Sequence, residues 1–563
     1  MGSSGALDTT PRTAGRKSWP ATAGIVTALT AVGLALRAVG LGARGLWLDE
    51  AITVRHANRP LIDVLSRLAS GVHPPLYHVL MHYWISAFGL GEVALRSFSV
   101  LIGVLAIPTA FWAGSRVYDR RTGIVAAGLV AFSPFLIWYS QEARMYGLLF
   151  LAALLSTAFL ILALRENRPR LWWGYFASAL VGLFTHYFFL FLFAGHVAYY
   201  LLGDLPRTER LRRLEGSAKA SVRRPWRLFA DVATLGPWLA ANVALVATLA
   251  VWLGNSVFVR VAGEQNALLS SVAGSGLGYG QEAPHLAVRF NDVVLVVAQM
   301  LTGFHSAKAM GAMVALWPLV IYAVMLLIRF VKPVTARTQL LVVSSAGILV
   351  MMAVGQWQGQ ILAVRYFIAV AAPAILLGAR VLTKLGRRER TAVVAVVLAL
   401  SVGAWTDQSF DPRNDMRYDN RTALQTVVRQ RRIDDAVLYV PFYLDPLTSY
   451  YLPAGVKAAG IPQQNERGEL RGSRNQIGQD LDRLVGPSRR VWLVLSFQNI
   501  GQLHSDAFVV RRWLDEAGYR LALDERMNQV ELLRYDNPNR PQLFLESSVP
   551  SSSATSSVGG GAK

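Results

Sequence analysis

The chain has 563 residues, of which 53% are hydrophobic and only 16% are charged. Soluble domains carry roughly 25% charged residues, so this composition excludes a single soluble globule and indicates a polytopic membrane protein. The formal net charge of +21 is explained by basic residues in cytoplasmic loops, and the sequence contains no nucleic-acid-binding motif. It contains no cysteine, which excludes disulfides and thiolate metal sites.

Apolar runs of near membrane-spanning length recur over residues 21–406. Crossing a bilayer as an α-helix takes about 20 apolar residues, and by this standard the chain contains roughly eleven spans. They lie at 21–41, 94–117, 122–140, 145–164, 171–185, 187–203, 234–254, 310–331, 338–355, 361–382 and 391–406. Residues 1–20 are polar and basic without a signal-cleavage pattern, so we predict a cytoplasmic tail and a retained first helix.

Basic residues cluster on one side of these predicted spans. The clusters lie near residues 12–17, 116–121, 165–170, 207–227, 329–337 and 380–390. Because Lys and Arg accumulate in cytoplasmic loops, we predict that the N-terminus and these loops are cytoplasmic. Loops 43–93 and 255–309 and the C-terminal region are then extracytoplasmic, as expected for a multi-pass protein of a bacterial-type inner (plasma) membrane.

Beyond about Asp407 the apolar runs shorten and the density of charge rises. Two short apolar runs indicate buried strands at 435–440 and 490–495, and helical patterns lie beside them at 420–432, 476–485 and 506–517. We therefore predict a small extracytoplasmic α/β domain at 413–545. A Ser/Gly-rich tail at 547–563 is predicted to be disordered.

The predicted fold is thus a polytopic α-helical membrane protein with about 11 transmembrane helices and a C-terminal α/β domain. In the first outer loop, apolar residues from Leu61 to Leu68 recur at helical spacing. This pattern predicts an amphipathic helix on the outer membrane surface. Residues 286–301 form a second amphipathic candidate, and segment 76–89 is aromatic but too short to span.

Two adjacent carboxylates, Asp49 and Glu50, follow the first predicted span. Ionisable residues at a membrane are candidates for function by default. The alternative is a water-exposed loop in which Trp47 anchors the chain at the interface.

Further polar and aromatic residues gather on or near the same face. Each has a structural alternative. His73-Pro74-Pro75 could form only a rigid turn, Glu142 and Arg144 could form a local ion pair, and the Arg365 side chain could extend to the membrane interface. Their joint position on the face of Asp49 favours one shared site, and a phosphate would satisfy an arginine within a span. The candidates are His73, Tyr77, Gln141, Glu142, Arg144, Tyr146, His186, Tyr187, Arg365 and Tyr366.

A metal site is a weaker hypothesis. His78 and His82 share a helix face at i, i+4 spacing, and His73 precedes them. Zinc or manganese with Asp49 or Glu50 is conceivable chemically, but no matching carboxylate–histidine motif is present. We therefore expect that no cofactor is required and keep a divalent metal as the alternative.

In motif order and topology, residues 21–406 resemble the GT-C glycosyltransferases, in the branch around protein O-mannosyltransferases and aminoarabinose transferases (family 39-like). The motifs that carry the resemblance are Leu46-Trp47-Leu48-Asp49-Glu50, His73-Pro74-Pro75-Leu76-Tyr77, Ala94-Leu95-Arg96, Ser133-Pro134-Phe135, Ser140-Gln141-Glu142-Ala143-Arg144-Met145-Tyr146, His186-Tyr187 and Arg365-Tyr366.

The resemblance implies a sugar donor linked to polyprenyl phosphate, with Asp49 as the catalytic base and Glu50 in substrate positioning. The chemistry agrees, because glycosyl transfer needs a base for the acceptor hydroxyl and cations for the leaving phosphate. A single displacement would invert the anomeric carbon. The acceptor, whether protein, lipid or glycan, is left open.

Three alternatives remain at this point. A lipid or solute transporter is disfavoured because no internal repeat or pair of broken helices is evident. An O-antigen ligase or polymerase would use a diphosphate-linked donor instead. A non-catalytic membrane scaffold would not require Asp49.

Overall fold

The computed structural model describes residues 19–69, 73–202, 232–255, 335–357, 364–411, 418–464, 471–486, 488–496 and 501–540, with a few single positions between 299 and 329. Several predicted features lie outside these ranges, entirely or for the most part. They are the basic tail, the 204–233 loop, the 255–309 loop with its amphipathic candidate, the span at 310–331 and the tail at 547–563.

Helices make up the membrane part. In chain order they are α1 (Trp19–Ala38), α2 (Leu48–Ala57), α3 (Leu61–Ala69), α4 (Leu76–Phe88), α5 (Glu92–Val117), α6 (Arg120–Phe132), α7 (Pro134–Ser140), α8 (Tyr146–Glu166), α9 (Pro169–Thr185), α10 (Phe189–Leu202), α11 (Val232–Asn255), α12 (Ala336–Trp357), α13 (Ile368–Lys384) and α14 (Arg387–Phe410). A 3₁₀ turn, Val364–Phe367, leads into α13.

The protein is a multi-pass membrane protein by the length and apolarity of its helices. Within the described ranges, six segments can cross a bilayer, and the bent pair α6–α7 makes a seventh if it counts as one span. The prediction of about 11 spans is therefore not confirmed in number. The predicted spans at 171–185, 187–203 and 338–355 coincide with α9, α10 and α12, which are not among the six. With 17 residues, α9 is only about 26 Å long, less than the hydrocarbon core.

The predicted span 122–140 is broken rather than continuous. It bends by 59° between α6 and α7 because Pro134 occupies the first position of α7 and the Ser133 side chain caps the Leu136 amide at 3.3 Å. The buried guanidinium of Arg37 donates to the carbonyls of Val130 and Ala131 at 3.0 and 3.3 Å. Arg37 of α1 thus binds carbonyls of the last turn of α6, just before the break.

Three short helices, α2, α3 and α4, form the described outer loop between α1 and α5. The amphipathic pattern at 61–68 is a helix, α3, in which Val64 is buried and Ile62 is exposed. Helix α2 begins directly after Trp47 and carries Asp49 and Glu50 in its first turn. Both carboxylates lie near the loop that follows α7, since the Ala143 amide donates to Glu50 at 2.8 Å and Arg144 Nη2 lies 3.8 Å from Asp49 Oδ2.

The C-terminal part contains a five-stranded mixed sheet with the order β2-β1-β3-β5-β4. Strands β2, β1 and β3 are parallel, whereas β5 is antiparallel to both β3 and β4. The elements are helices α15 (Asn420–Gln430), α16 (Asp445–Tyr451), α17 (Arg474–Val485) and α18 (Gly501–Glu516), and strands β1 (Ala436–Val440), β2 (Ala458–Gly460), β3 (Arg490–Ser496), β4 (Arg520–Met527) and β5 (Val530–Asp536).

Strands β1 and β3 are the two strands predicted from apolar runs, and every residue in both is buried. Alternate side chains of β3 face two different cores. Val491 and Leu493 pack with α17 and α18, whereas Trp492 and Val494 belong to a core that continues through α15 into the membrane part. The small domain is therefore packed against the membrane part.

Candidate active site

Asp49 lies where α2, the loop after α7 and the 3₁₀ turn before α13 meet. Its carboxylate Oδ2 is 3.8 Å from Arg144 Nη2 and 4.0 Å from Arg365 Nη2. The Asp49 side chain remains 26% exposed, so a hydroxyl group can approach it. The site therefore combines one accessible carboxylate with two guanidinium groups.

Arg144 is buried and holds Asp49 by its main chain as well. Its Nη1 donates to the Asp49 carbonyl at 3.2 Å and to Thr53 Oγ1 at 2.9 Å. Its Nη2 lies 3.4 Å from His73 Nε2. These contacts tie the loop after α7 to the first two turns of α2 and fix the direction of the Asp49 side chain.

Arg365 is less enclosed than Arg144, with 24% of its side chain exposed. Its guanidinium carbon lies 5.3 Å from the Trp47 ring centre and 5.4 Å from that of Tyr366. Within the described part of the chain its Nε has no hydrogen-bond partner. The guanidinium thus packs against two aromatic rings, and the exposed part of the side chain can be reached by a ligand.

Glu50 differs from its neighbour because it is fully buried. Arg96 binds it through both oxygens, at 2.8 and 2.7 Å, and the amides of Ala143 and Trp47 donate to it at 2.8 and 3.2 Å. Burial opposes ionisation, but the charge and hydrogen bonds of Arg96 outweigh it and lower the Glu50 pKa. Each oxygen already accepts two hydrogen bonds, so Glu50 holds the loops together and is not free to bind substrate as predicted.

Histidine and tyrosine rings surround the remaining side of the site. The His186 ring is 5.9 Å from His73, 6.5 Å from Tyr146 and 5.9 Å from Tyr366. Burial and the nearby charge of Arg144 lower the pKa of His73, and burial with Arg144 and Arg365 lowers that of His186 to about 3. Both imidazoles are therefore neutral at physiological pH.

Some predicted residues support the site or face elsewhere. The hydroxyl of Tyr77 bonds Ser99 Oγ at 2.8 Å inside the core. The amide of Gln141 donates to the carbonyls of Arg37 and Val39 at 2.9 and 2.8 Å, at the end of α1. Tyr187 accepts a hydrogen bond from Trp252 at 3.2 Å, so its hydroxyl is directed towards α11.

The three histidines considered as metal ligands, His73, His78 and His82, do not surround a common point. His82 Nδ1 bonds the Ala57 carbonyl at 2.9 Å, while the His73 ring stacks 6.3 Å from that of His78. Burial lowers the His78 pKa to about 3. Among the residues that the structure describes, no group of three histidine or acidic side chains is placed to hold a metal ion.

A cavity of about 320 Å³ adjoins the site. Glu142 lines it and is only 8% exposed, and its Oε2 has no hydrogen-bond partner in the described ranges. Burial, followed by the charge of Glu50, raises the Glu142 pKa to about 8, so at neutral pH this carboxyl is largely protonated. The other walls include Arg44, Trp47, Trp138, Tyr139 and Arg365 from the membrane part and Tyr418, Asp419, Arg421, Thr422 and Asn528 from the C-terminal part.

Sequence reasoning missed several residues of this region. Arg96 was noted only within a motif, and its pairing with Glu50 joins residues 46 positions apart. Arg44 lies in the turn between α1 and α2 and packs 4.4 Å from the Trp138 ring centre, a contact that the apolar pattern cannot predict. Arg421 comes from the C-terminal part, for which no local motif signals a role.

Comparison with known proteins provides independent findings. Residues 72–217 match the family described as dolichyl-phosphate-mannose-protein mannosyltransferase, a stretch that includes His73, Glu142, Arg144 and His186. No curated protein matches the sequence significantly.

Solved structures show the fold. Crystal structures of ArnT from Cupriavidus metallidurans, one bound to undecaprenyl phosphate and one in the apo state, superpose with TM-scores of 0.55 and 0.56 at 14% identity, covering 91% of this chain and 98% of ArnT. The apo oligosaccharyltransferase of Archaeoglobus fulgidus gives a TM-score of 0.50 at 12% identity, covering 90% of this chain and 73% of that chain. At 12–14% identity these matches show that the chains share a fold.

Proposed function

We propose that the chain is a GT-C glycosyltransferase of the branch of protein O-mannosyltransferases and ArnT, and that it transfers a sugar from a polyprenyl-phosphate donor to an acceptor hydroxyl. The observation that carries the proposal is the accessible Asp49 carboxylate within 4.0 Å of two guanidinium groups. The ArnT neighbour was crystallised with undecaprenyl phosphate, which supports a lipid phosphate as the carrier.

Asp49 is the general base in this mechanism. It accepts the proton of the acceptor hydroxyl as that oxygen forms a bond to the anomeric carbon. The bond from this carbon to the phosphate oxygen breaks, and its electron pair leaves with the phosphate. A phosphate is already a stable anion and needs no acid to protonate it, so one carboxylate is sufficient. Attack opposite the leaving group inverts the anomeric centre, in contrast to mechanisms with a covalent sugar intermediate.

Arg365 binds the phosphate of the donor. A guanidinium pairs with two phosphate oxygens at once, and the Arg365 side chain lines the cavity with 24% of its surface exposed. Its two aromatic neighbours restrict the orientation of the guanidinium plane. Arg144 adds positive charge on the other side of Asp49 while its own donors hold Asp49 and Thr53.

The adjoining cavity receives the sugar headgroup. Its walls combine four aromatic rings with a larger number of polar and charged side chains, four of them arginines, so they offer hydrogen-bond partners for sugar hydroxyls and a phosphate. Protonated Glu142 donates a hydrogen bond to a sugar hydroxyl or to a phosphate oxygen, since its Oε2 has no other partner in the described residues. The basic residues in the loops at the other ends of the spans support an extracytoplasmic position for this face, where it would meet a donor embedded in the outer leaflet.

A donor panel tests the proposal. Purified protein in liposomes is given radiolabelled polyprenyl-phosphate mannose or a polyprenyl-diphosphate sugar, with a delipidated cell-envelope fraction as acceptor. The proposal predicts label in the acceptor and release of free polyprenyl phosphate from the monophosphate donor. Consumption of the diphosphate donor alone would indicate a ligase or polymerase. Movement of intact donor between leaflets without consumption would indicate a transporter.

A further inference from the structure

The loop that precedes Asp49 is held through its peptide carbonyls. Five consecutive carbonyls, from residue 41 to residue 45, accept hydrogen bonds from two arginines. Arg96 of α5 donates to those of residues 41, 44 and 45 at 2.8 Å each. Arg421 of α15 donates to those of residues 42 and 43 at 3.0 and 2.8 Å. One arginine belongs to the membrane part and the other to the C-terminal part.

Tyr451 of α16 contacts the same loop. Its hydroxyl accepts a hydrogen bond from the Leu46 amide at 2.7 Å and donates to Glu92 at the start of α5. The other carboxylate oxygen of Glu92 accepts from Arg421 at 2.7 Å. Glu92 therefore links both C-terminal residues to the helix that also carries Arg96.

The contact between loop and C-terminal part is close. A Cβ atom at Gly45 would lie 2.6 Å from the Cβ of Arg421 and 3.1 Å from the Tyr451 hydroxyl. Only glycine permits this approach, because real Cβ atoms do not come so near another carbon. The backbone of the loop is thus packed directly on α15 and α16.

We propose that the C-terminal part is a positioning element for the catalytic loop, acting through Tyr451 and Arg421. The loop of residues 41–46 leads into Trp47, whose amide bonds Glu50, and then into the first turn of α2 with Asp49. Fixing the loop on both sides fixes the start of α2 and hence the direction of the base. This proposal rests on the proposed function only for its kinetic readout.

Tyr451 is the more selective residue for a test. Arg421 lines the cavity and contacts any ligand there, whereas Tyr451 is not among the lining residues and acts on the site through the loop. The chain also offers a matched control in the adjacent Tyr450. Its hydroxyl donates to the Leu90 carbonyl at 2.7 Å, so this hydrogen bond joins the same two parts of the protein at a residue outside the loop of 41–46.

The experiment compares Tyr451→Phe and Tyr450→Phe in the full-length purified protein. For Tyr451→Phe we expect amide exchange at residues 41–47 to rise by about tenfold, as one lost hydrogen bond allows. Turnover should fall by about tenfold or more because the base is displaced, with donor KM and Tm little changed. Tyr450→Phe should alter none of these.

Arg421→Lys provides a second variant, since a lysine ammonium cannot span two carbonyls and Glu92 in one plane. It should raise exchange over the same residues. Unchanged exchange at 41–47 in both Tyr451→Phe and Arg421→Lys would overturn the proposal, as would an equal increase in Tyr450→Phe. If the wild type consumes no polyprenyl-phosphate sugar, the proposed function fails, while the exchange measurement still decides whether the C-terminal part holds the loop.

Discussion

Arg144 contacts both ends of Asp49, its main-chain carbonyl at 3.2 Å and its carboxylate at 3.8 Å. A single buried side chain therefore sets where the base lies and which way it points. Arg365 approaches the same carboxylate from the 3₁₀ turn before α13. In the proposed mechanism Arg144 positions the base and Arg365 binds the donor phosphate.

The first prediction concerns Arg365. Lysine keeps the charge but loses the planar fork, so Arg365→Lys should weaken donor affinity and Arg365→Ala should weaken it further. The loss should appear in donor binding as well as in turnover, because the phosphate is present in both ground and transition states. Titration of purified variants with polyprenyl-phosphate mannose measures it.

If Arg365 has only a structural role, its variants should behave differently. In that case lysine serves almost as well, and alanine lowers the Tm without changing donor affinity. Donor affinity equal to wild type in both variants would remove Arg365 from the site.

The second prediction concerns pH and Glu142. Its pKa is raised to about 8, so the carboxyl is mainly protonated below this pH and ionised above it. An ionised Glu142 cannot donate a hydrogen bond and repels the donor phosphate. Donor affinity of the wild type should therefore fall as the pH rises above about 8, whereas Glu142→Gln, which stays neutral, should lose this dependence.

The control for this prediction is Glu166→Gln. Glu166 pairs with Arg165 at the opposite end of α8 and should retain the wild-type pH profile. Identical alkaline profiles in wild type and Glu142→Gln would show that the Glu142 proton plays no part in donor binding.

The third prediction separates Glu50 from Asp49. Glu50→Gln leaves the buried Arg96 charge uncompensated, a loss that typically costs about 3–5 kcal/mol of stability. The pKa of Glu50 is lowered, so its contribution is complete at neutral pH and decreases on acidification, as the carboxylate becomes protonated. Thermal unfolding in detergent at pH 7 should show a large fall in Tm for Glu50→Gln and little change for Asp49→Asn. Equal melting temperatures in the two variants would contradict the assignment of Glu50 to structure.

The fourth prediction is the orientation of the chain, which follows from loop charge. The sequence has no cysteine, so single cysteines can be introduced without background. Ile433→Cys places a thiol on the C-terminal part at a position 80% exposed, and Arg168→Cys places one in the exposed turn between α8 and α9. A membrane-impermeant maleimide should label Ile433→Cys in intact cells and Arg168→Cys only after permeabilisation. The reverse pattern would place Asp49 on the cytoplasmic side.

Helices, strands and the position of the site could be predicted where they depend on local sequence pattern. Apolar runs located α1, α5, α8 and α13, and the position of Asp49 beyond the first span indicated a site. Strands β1 and β3 were recognisable because both of their faces are buried. The edge strand β4 was missed since its residues are largely exposed and four of its eight are charged.

Contacts between distant segments could not be predicted. The pairing of Glu50 with Arg96 and of Glu92 with Arg421 depends on how helices pack, which no periodicity encodes. The bend at Ser133–Pro134 was hidden by continuous apolar residues, although proline and a capping serine are its cause. The burial that raises the pKa of Glu142 likewise appears only in three dimensions.

The most direct test of this account is turnover of polyprenyl-phosphate mannose by Asp49→Asn. Asparagine keeps the size of the side chain but cannot accept the acceptor proton, so turnover should fall by about 10²–10⁴ with donor affinity and Tm retained. Asp63→Asn, on the exposed face of α3, is the matched control and should keep wild-type turnover. Near-normal turnover by a folded Asp49→Asn protein would contradict the assignment of Asp49 as the base.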